Sequence, residues 1–423
     1  MSKKSSPAMP SCDEFDPNAL SVEQARGKIL DSVTPVQHSE ALPIREALNR
    51  VLAEDISATI DVPSHTNSAM DGYAMRGADI PATGTRQLVI VGTIMAGRPL
   101  DVHIESGQCA RIMTGGKLPA GADTVIMQEH VQRDETNNRI TITGGHKTGQ
   151  NVRQAGEDLA RGERVFRAGT RLTPADLGML ASMGIAEVAV LRRVKVVFFS
   201  TGDELCEVGQ ALQEGQIYDS NRYTLYGMLK RLEVDFVDLG VIADERSAVE
   251  DAFHRATRDA DVLITTGGVS VGEADFVKDT LEKLGQVGFW KIAMKPGRPL
   301  AFGRIGDCQF FGLPGNPVSA MVTFYQFVQP ALLRMMGLDD VLPRYLQLRT
   351  TTPLTKRAGR LEYQRGIIGT DENGEMVVSS TGAQGSGILR SMGEANCFIE
   401  LPLETERVKE GELVKVQPFA GMT

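Results

Sequence analysis

Hydrophobic and polar positions along this chain change their period several times, and each change marks a different kind of element. Val22, Ala25, Ile29 and Val33 recur at helical spacing, and Ser21 followed by Gln24 is a capping-box pattern that opens their helix. Pro43 predicts a second helix running to about residue 52, since proline suits a first helical turn. From about 58 to 159 the runs become short and β-rich, at 87–95, 108–113, 124–128 and 139–143, with Gly, Pro and Asn turns between them. Thr173-Pro174-Ala175-Asp176 then opens another helix, with Thr as cap, Pro in the first turn and Asp at the positive helix end; Gly184 stops it.

From about 191 the texture is strand–helix–strand. Residues 194–199 are an unbroken apolar run, as a parallel strand buried on both faces requires. Helices predicted at 222–232, 246–258 and 275–284 alternate with strands at 234–239 and 261–265. Lys291 closes a further run rich in apolar residues; runs at 299–303 and 310–313 lead into a long apolar helix over 317–336. This alternation predicts a doubly wound α/β domain with a mainly parallel sheet. After 343 only short strands remain, for example at 376–380, 397–401 and 413–416, which suggests a small closed β unit. The expected layout is multidomain α/β. It comprises a disordered tail over 1–17, a linking domain over 18–57 plus 160–190, an inserted β-rich domain over 58–159, an α/β domain over 191–342 and a barrel-like domain over 343–423.

Composition narrows the function classes. In 423 residues, 42% hydrophobic and 23% charged is enough to bury a substantial core. Forty-five Lys+Arg against 54 Asp+Glu leave a net charge of −9. That excludes a generally basic nucleic-acid binder but permits a local basic pocket for a small anion. No apolar run approaches the ~18 residues of a membrane helix, and the tail lacks the apolar stretch of a signal peptide. The five cysteines, at 12, 109, 206, 308 and 397, form no Cys-x-x-Cys pair, so neither a zinc framework nor a disulfide pattern is expected and a reducing cytoplasm is. Six scattered histidines, with no companion Ser or Cys signature, give a histidine-driven hydrolase little support.

In an open α/β sheet, ligands bind beyond the carboxyl ends of the strands, and three glycine-bearing loops fall there. They are Ser200-Thr201-Gly202-Asp203-Glu204, Thr265-Thr266-Gly267-Gly268-Val269-Ser270-Val271-Gly272 and Pro314-Gly315-Asn316-Pro317. Each alone reads as turn chemistry; together they suit a phosphate-bearing ligand, although no Walker Gly-Lys-Ser/Thr follows. Asp203, Glu204, Asp244 and Asp275 accompany the loops, and carboxylates near phosphates suit magnesium, with helix capping as the plainer reading for Asp244 and Asp275. Lys291, Lys295 and Arg298 form a cationic cluster stiffened by Pro296 and Pro299. Asn67–Tyr73 with Met113-Thr114-Gly115-Gly116 in the inserted domain, and Gly359–Arg365 with Gln384-Gly385-Ser386-Gly387 near the C-terminus, also stand out.

With these segments assembled, the chain resembles the bacterial MoeA-type molybdopterin molybdenumtransferases, whose vertebrate relative is the E domain of gephyrin. The motifs arrive in the family's order: 67–73, 111–116, 156–158, 199–205, 217–221, 266–275, 295–299, 313–319 and 359–365. The resemblance implies insertion of molybdate into adenylylated molybdopterin, with AMP released and Mg2+ as the divalent metal. It implies homodimers of four-domain subunits with the site shared between subunits, working alongside a molybdopterin adenylyltransferase and recipient molybdoenzymes.

Carried over by motif, Asp71, Thr114 and Asp158 face the site from the partner subunit. Glu204, Asp244, Asp275, Lys291 and Lys295 line it from the α/β domain, and Arg365 and Ser386 from the C-terminal domain. Thr201, Gly202, Gly267, Gly268, Ser270, Pro314, Gly315, Asn316, Arg298 and Ser386 are the expected substrate-binding positions, and Glu204, Asp244 and Asp275 the expected metal ligands. Two departures stand out: Thr66 replaces an acidic residue common in relatives, and Arg298 replaces a lysine, keeping the charge but changing donor geometry. The alternatives are an adenylyltransferase, which would lack the inserted and C-terminal domains, and a non-catalytic carrier or scaffold, which would lose site residues.

Overall fold

A computed structural model describes residues 18–267, 280–281, 283 and 285–419, so the predicted tail and most of the predicted 275–284 helix lie outside the described residues. The chain divides into two compact units, one of residues 1–38 with 191–423 and one of residues 39–190.

Helix α1 (Val22–Ser32) begins as its sequence pattern predicts. The Ser21 hydroxyl accepts from the Gln24 amide (3.1 Å), and the Gln24 side chain accepts from the Ser21 amide (2.9 Å). Val22, Ala25 and Ile29 are buried in the core of the first unit.

In the second unit, the helix expected from Pro43 is absent. Ser39–Pro43 is a strand paired with Glu187–Leu191, and only the single 3-10 turn Ile44–Glu46 follows. The reason is tertiary: the amides of Asn49 and Leu52 donate to the Leu172 and Thr170 carbonyls, and Leu52 is buried with Leu172 and Leu180. Those extended pairings outweigh the weak preference of one proline. The unit's main sheet comprises β1 (Gly72–Met75), β2 (Thr85–Ile94), β3 (Gln108–Ile112), β4 (Thr124–Met127), β5 (Gln132–Asp134) and β6 (Arg139–Thr143), in the order β4-β1-β3-β2-β6-β5. Helix α2 (Pro174–Ser182) carries the capping box predicted from Thr173 and Asp176.

The first unit is built on strands β7 (Lys195–Thr201), β8 (Asp235–Ile242), β9 (Val262–Thr266), β10 (Gln286–Lys291), β12 (Pro299–Ile305) and β13 (Cys308–Leu313), with the two-residue β11 (Met294–Lys295) between β10 and β12. Helices α3 (Ser220–Leu232) and α4 (Arg246–Ala256) make the crossovers. The order is β8-β7-β9-β13-β12-β10, parallel from β8 to β13 and antiparallel through β12 and β10. Since β8 lies on one side of β7 and β9 on the other, the chain reverses direction across the sheet at β7/β9, the switch point at which doubly wound sheets open a crevice.

The predicted long apolar helix is a single helical run interrupted by a π turn: α5 (Pro317–Thr323), Phe324–Val328, then α6 (Gln329–Met335). Pro330 explains the interruption. Proline has no amide to donate to the carbonyl four residues back and its ring crowds that carbonyl, which here belongs to Gln326. The Gln326 carbonyl instead accepts from Arg26 Nε of α1 (3.0 Å), and its side chain bridges Arg26 (2.6 Å) and Gln417 (2.7 Å). Five further strands, β14 (Leu346–Thr350), β15 (Leu361–Thr370), β16 (Met376–Ser380), β17 (Cys397–Leu401) and β18 (Leu413–Pro418), close in the order β15-β16-β14-β18-β17 and back to β15, a five-stranded barrel. No helix among the described residues is long and apolar enough to cross a membrane.

Candidate functional site

The crevice at the switch point is lined by the loops that follow β7 and β13 and by Gly267, the last described residue after β9. Ser200 pairs with Thr266 and Thr266 with Leu313, so the three strands end level, and the Ser200 and Thr266 hydroxyls join them by a 2.7 Å hydrogen bond. Gly267 has φ +84°, and a Cβ there would stand 2.5 Å from the Thr201 carbonyl oxygen. Only glycine lets these two backbones approach so closely, which keeps the floor of the crevice open. Gly202 has φ +148°, and the Glu204 carboxylate folds so tightly against it that a Cβ would meet its oxygens at 2.6 and 2.8 Å.

Three carboxylates gather beside this floor. Burial first, then the charges of Asp203 and Glu204, push the Asp244 carboxyl above the usual aspartate range. Like charges at close quarters raise a pKa unless a cation intervenes. Asp275, Gly268 and Ser270, also expected here, lie outside the described residues. Among the described residues no three His, Cys, Asp or Glu side chains form a ready-made metal cage.

At the third loop, the Gly315 carbonyl accepts from the Asn221 side-chain amide at the start of α3 (2.7 Å). Asn316 precedes α5 without a side-chain capping bond, and the Val318 amide in the first turn donates to the backbone carbonyl of Ser386 (3.1 Å). The barrel loop that carries Ser386 is thereby tied to the Pro314–Pro317 loop.

The cationic cluster lies on the turn joining β10 to β12. The Ile292 amide donates to the Arg298 carbonyl (2.8 Å), the Leu20 amide to the Lys291 carbonyl (2.9 Å), and Gly297, at φ +97°, closes the turn. The Lys291 side chain is exposed. Lys295 is 47% exposed and pairs with Glu362 of β15 at 3.3 Å. Arg365 is different, being 1% exposed. Its guanidinium donates to the Ser391 hydroxyl (3.1 Å) and to the Tyr363 (3.2 Å) and Gly385 (3.4 Å) carbonyls, and burial lowers its pKa to about 10 despite the nearby Glu362 charge. It is built into the barrel wall beside the Gln384–Ser386 loop.

The second unit holds its own cluster. Asp71 Oδ1 accepts from both the amide (2.8 Å) and the hydroxyl (2.7 Å) of Thr114. Those bonds, the amide first, and the charge of Arg111 hold the Asp71 carboxyl below the usual range. Asp158 is exposed, with its amide bound to the Val62 carbonyl (3.0 Å). Thr66, the departure from the acidic pattern, accepts weakly from the Ala155 amide (3.4 Å) and its backbone holds Leu118 (3.0 Å). Sequence reasoning assigned no role to Asn221 or Glu362. Glu362 carries a legible signal, since it is the lone acid between Arg360 and Arg365.

Comparison with known proteins agrees with these features. Residues 20–184 match the MoeA N-terminal region (domain I and II), residues 197–334 the probable molybdopterin binding domain and residues 347–419 the MoeA C-terminal region (domain IV). The chain is 47% identical over 401 residues to the molybdopterin molybdenumtransferase of Haemophilus influenzae, covering 95% of this chain and 98% of that one. It is 32% identical to gephyrin of Dictyostelium discoideum, over 94% of this chain and 62% of that one. Among solved structures, the molybdopterin biosynthesis moeA protein of Pyrococcus horikoshii superimposes with a TM-score of 0.83 at 30% identity, over 95% of this chain and 100% of that one. Matched by three successive family regions over most of its length, and by a relative 47% identical over 95% of the chain, the chain belongs to the MoeA family.

Proposed function

We propose that this chain is a molybdopterin molybdenumtransferase that inserts molybdenum from molybdate into adenylylated molybdopterin and releases AMP. The observation that carries the reading is the 47% identity over nearly the whole length of a curated transferase of that name, with an α/β crevice whose loops, carboxylates and cations suit a phosphate-bearing substrate and an oxyanion.

The site residues take their roles from their chemistry. Gly202, Gly315 and Asn316 carry backbone amides that can turn to the substrate's phosphate and pterin, while Thr201, Gly267 and Pro314 shape the close approach. Lys291, Lys295 and Arg298 provide fixed positive charge for the molybdate dianion, and the Ser386 hydroxyl an uncharged donor. Glu204 and Asp244, with Asp275, would hold Mg2+. Burial, and then the charges of Asp203 and Glu204, raise Asp244, and a divalent cation would offset both, so oxygen donors of this kind suit the ion. When bound, Mg2+ supplies charge neutralisation at the adenylyl phosphoanhydride. Lys291 and Lys295 stabilise the charge on the departing phosphate, which leaves with AMP.

In a homodimer, Asp71, Thr114 and Asp158 of one subunit serve the crevice of its partner, and Arg365 holds the Gln384–Ser386 loop in place. The net charge of −9 and the buried, unpaired Cys109, Cys206, Cys308 and Cys397 suit a cytoplasmic enzyme that takes its substrate from an adenylyltransferase and passes product to apo-molybdoenzymes. The test is AMP release from adenylylated molybdopterin with Mg2+, with and without micromolar molybdate. Molybdate-dependent release, yielding cofactor that activates an apo-molybdoenzyme, is expected. Substrate that binds without ever releasing AMP would indicate a carrier or scaffold.

A further inference from the structure

The cationic turn and the barrel meet through one short backbone pairing with an unusual side-chain consequence. Strand β11 runs parallel to the start of β15, placing Met294 opposite Leu361 and Lys295 opposite Glu362. The Leu361 amide also donates to the Ala293 carbonyl (3.0 Å). Lys295 and Glu362 are therefore cross-strand neighbours by register, and their side chains meet at 3.3 Å.

The two ends of this pair live in different surroundings. The Lys295 side chain is 47% exposed, whereas that of Glu362 is 6% exposed. A carboxylate this buried is costly unless its oxygens are satisfied. Gln364 supplies one bond, its amide donating to Glu362 Oε1 (3.0 Å) and also to the Thr355 carbonyl (3.0 Å), which fixes the carboxylate's plane. The other oxygen faces Lys295.

Two further cations surround Glu362, and neither depends on it for its place. Lys356 donates to the carbonyls of Arg360 (2.8 Å), Leu403 (3.1 Å) and Arg357 (3.2 Å). Its three protons are thus spent on backbone, and burial, only partly offset by Glu362 and Glu404, lowers its pKa. Arg365 is anchored by Ser391 and two carbonyls. Of the three, Lys295 is the cation that pairs with the carboxylate (3.3 Å) while about half of its side chain stays exposed.

We propose that Glu362 is the positioning residue for Lys295, a barrel-borne carboxylate that holds the ammonium at the mouth of the oxyanion site. The inference rests on Lys295 being a substrate contact in the transfer reaction. A four-carbon side chain left free would lose ordering entropy on each binding event; Glu362 removes that penalty beforehand. It also makes the α/β crevice depend on the barrel, since displacing β15 withdraws the tether.

The experiment is a double-mutant cycle on the full-length protein, reading molybdate-dependent AMP release for Glu362→Asp, Lys295→Met and the pair. Glu362→Asp keeps the buried charge beside Lys356 and Arg365 but retracts it from Lys295 by one methylene. The expected result is a loss of about fivefold in kcat/KM for molybdate, carried by KM, when Lys295 is present. It should shrink below about twofold when Lys295→Met is already in place. Equal losses in both backgrounds would overturn the inference and leave Glu362 a purely structural acid. An unchanged Lys295→Met enzyme would overturn the reading of Lys295 as a substrate contact, and this inference with it. Glu362→Gln, run through the same cycle, decides the matter should the shorter acid fail to fold.

Discussion

Asp71 in one unit and Asp244 in the other are both aspartates beside glycine-bearing turns, yet their surroundings drive them in opposite directions. Asp71 receives two hydrogen bonds from a single threonine and sits near an arginine, so its charged form is favoured. Asp244 is partly buried next to Asp203 and Glu204, so its charged form is disfavoured. The first carboxylate has its charge compensated by the fold and can present a fixed geometry to a ligand. For the second, burial and the neighbouring charges are offset by no donor or cation among the described residues.

The largest expected effect tests the second half of that contrast. Asp244→Asn should cut Mg2+-dependent AMP release by about 100-fold or more while leaving the thermal midpoint unchanged or higher, because it removes repulsion from the free protein. A drop in midpoint with activity retained would mean that Asp244 is structural. Its counterpart, Asp71→Asn, keeps an acceptor for Thr114 but loses the charge. Turnover should fall about tenfold without any change in Mg2+ dependence, on the scale of a group held slightly out of place. If both variants shift the Mg2+ requirement equally, the contrast between the two carboxylates is wrong.

Gly267→Ala probes whether the crevice floor needs its close approach. The left-handed backbone alone should destabilise the first unit by roughly 1–2 kcal/mol, measured by urea unfolding, with the Thr201 carbonyl contact adding to it. The smallest effect uses a carboxylate of the same unit that resembles Asp71 rather than Asp244. Burial raises Asp261, but the bidentate Arg192 pair (2.7 and 2.8 Å), the Lys195 amide and their charges more than reverse that, so its folded pKa lies below 3.8. A depressed folded pKa contributes stability above the ordinary aspartate value, and that stability is lost as pH falls below 3.8 through the folded value. Asp261→Asn should therefore flatten the thermal midpoint's acid limb between about pH 5 and pH 2. An unaltered acid limb would show that Arg192 does not compensate Asp261 in solution.

Much of the molecule was legible before any coordinates. Ser21 with Gln24, and Thr173 with Asp176, announce helix starts because capping is local chemistry that three or four residues complete by themselves. The apolar run into Thr201 and the glycine turns after it announce strand ends in a doubly wound sheet for the same reason. The helix expected from Pro43 failed because its carbonyl and amide partners, near Leu172 and Ala189, are more than a hundred residues away in sequence. The expected single helix over 317–336 left out the effect of Pro330, which is local and legible; what lay out of sight is that Arg26, three hundred residues away in sequence, takes the freed Gln326 carbonyl.

The order of motifs in the sequence therefore determined the family, the α/β architecture and the residue types available to bind phosphate, oxyanion and metal. Tertiary structure alone decided which of those groups are open and which are spent: Arg365 donating within the barrel, Asp71 satisfied by Thr114, Asp244 raised by burial and then by its neighbours, and Lys295 paired with Glu362. The physical reason is that a side chain's charge state and freedom depend on burial and on partners within a few ångströms, and most of these partners lie twenty or more residues away along the chain.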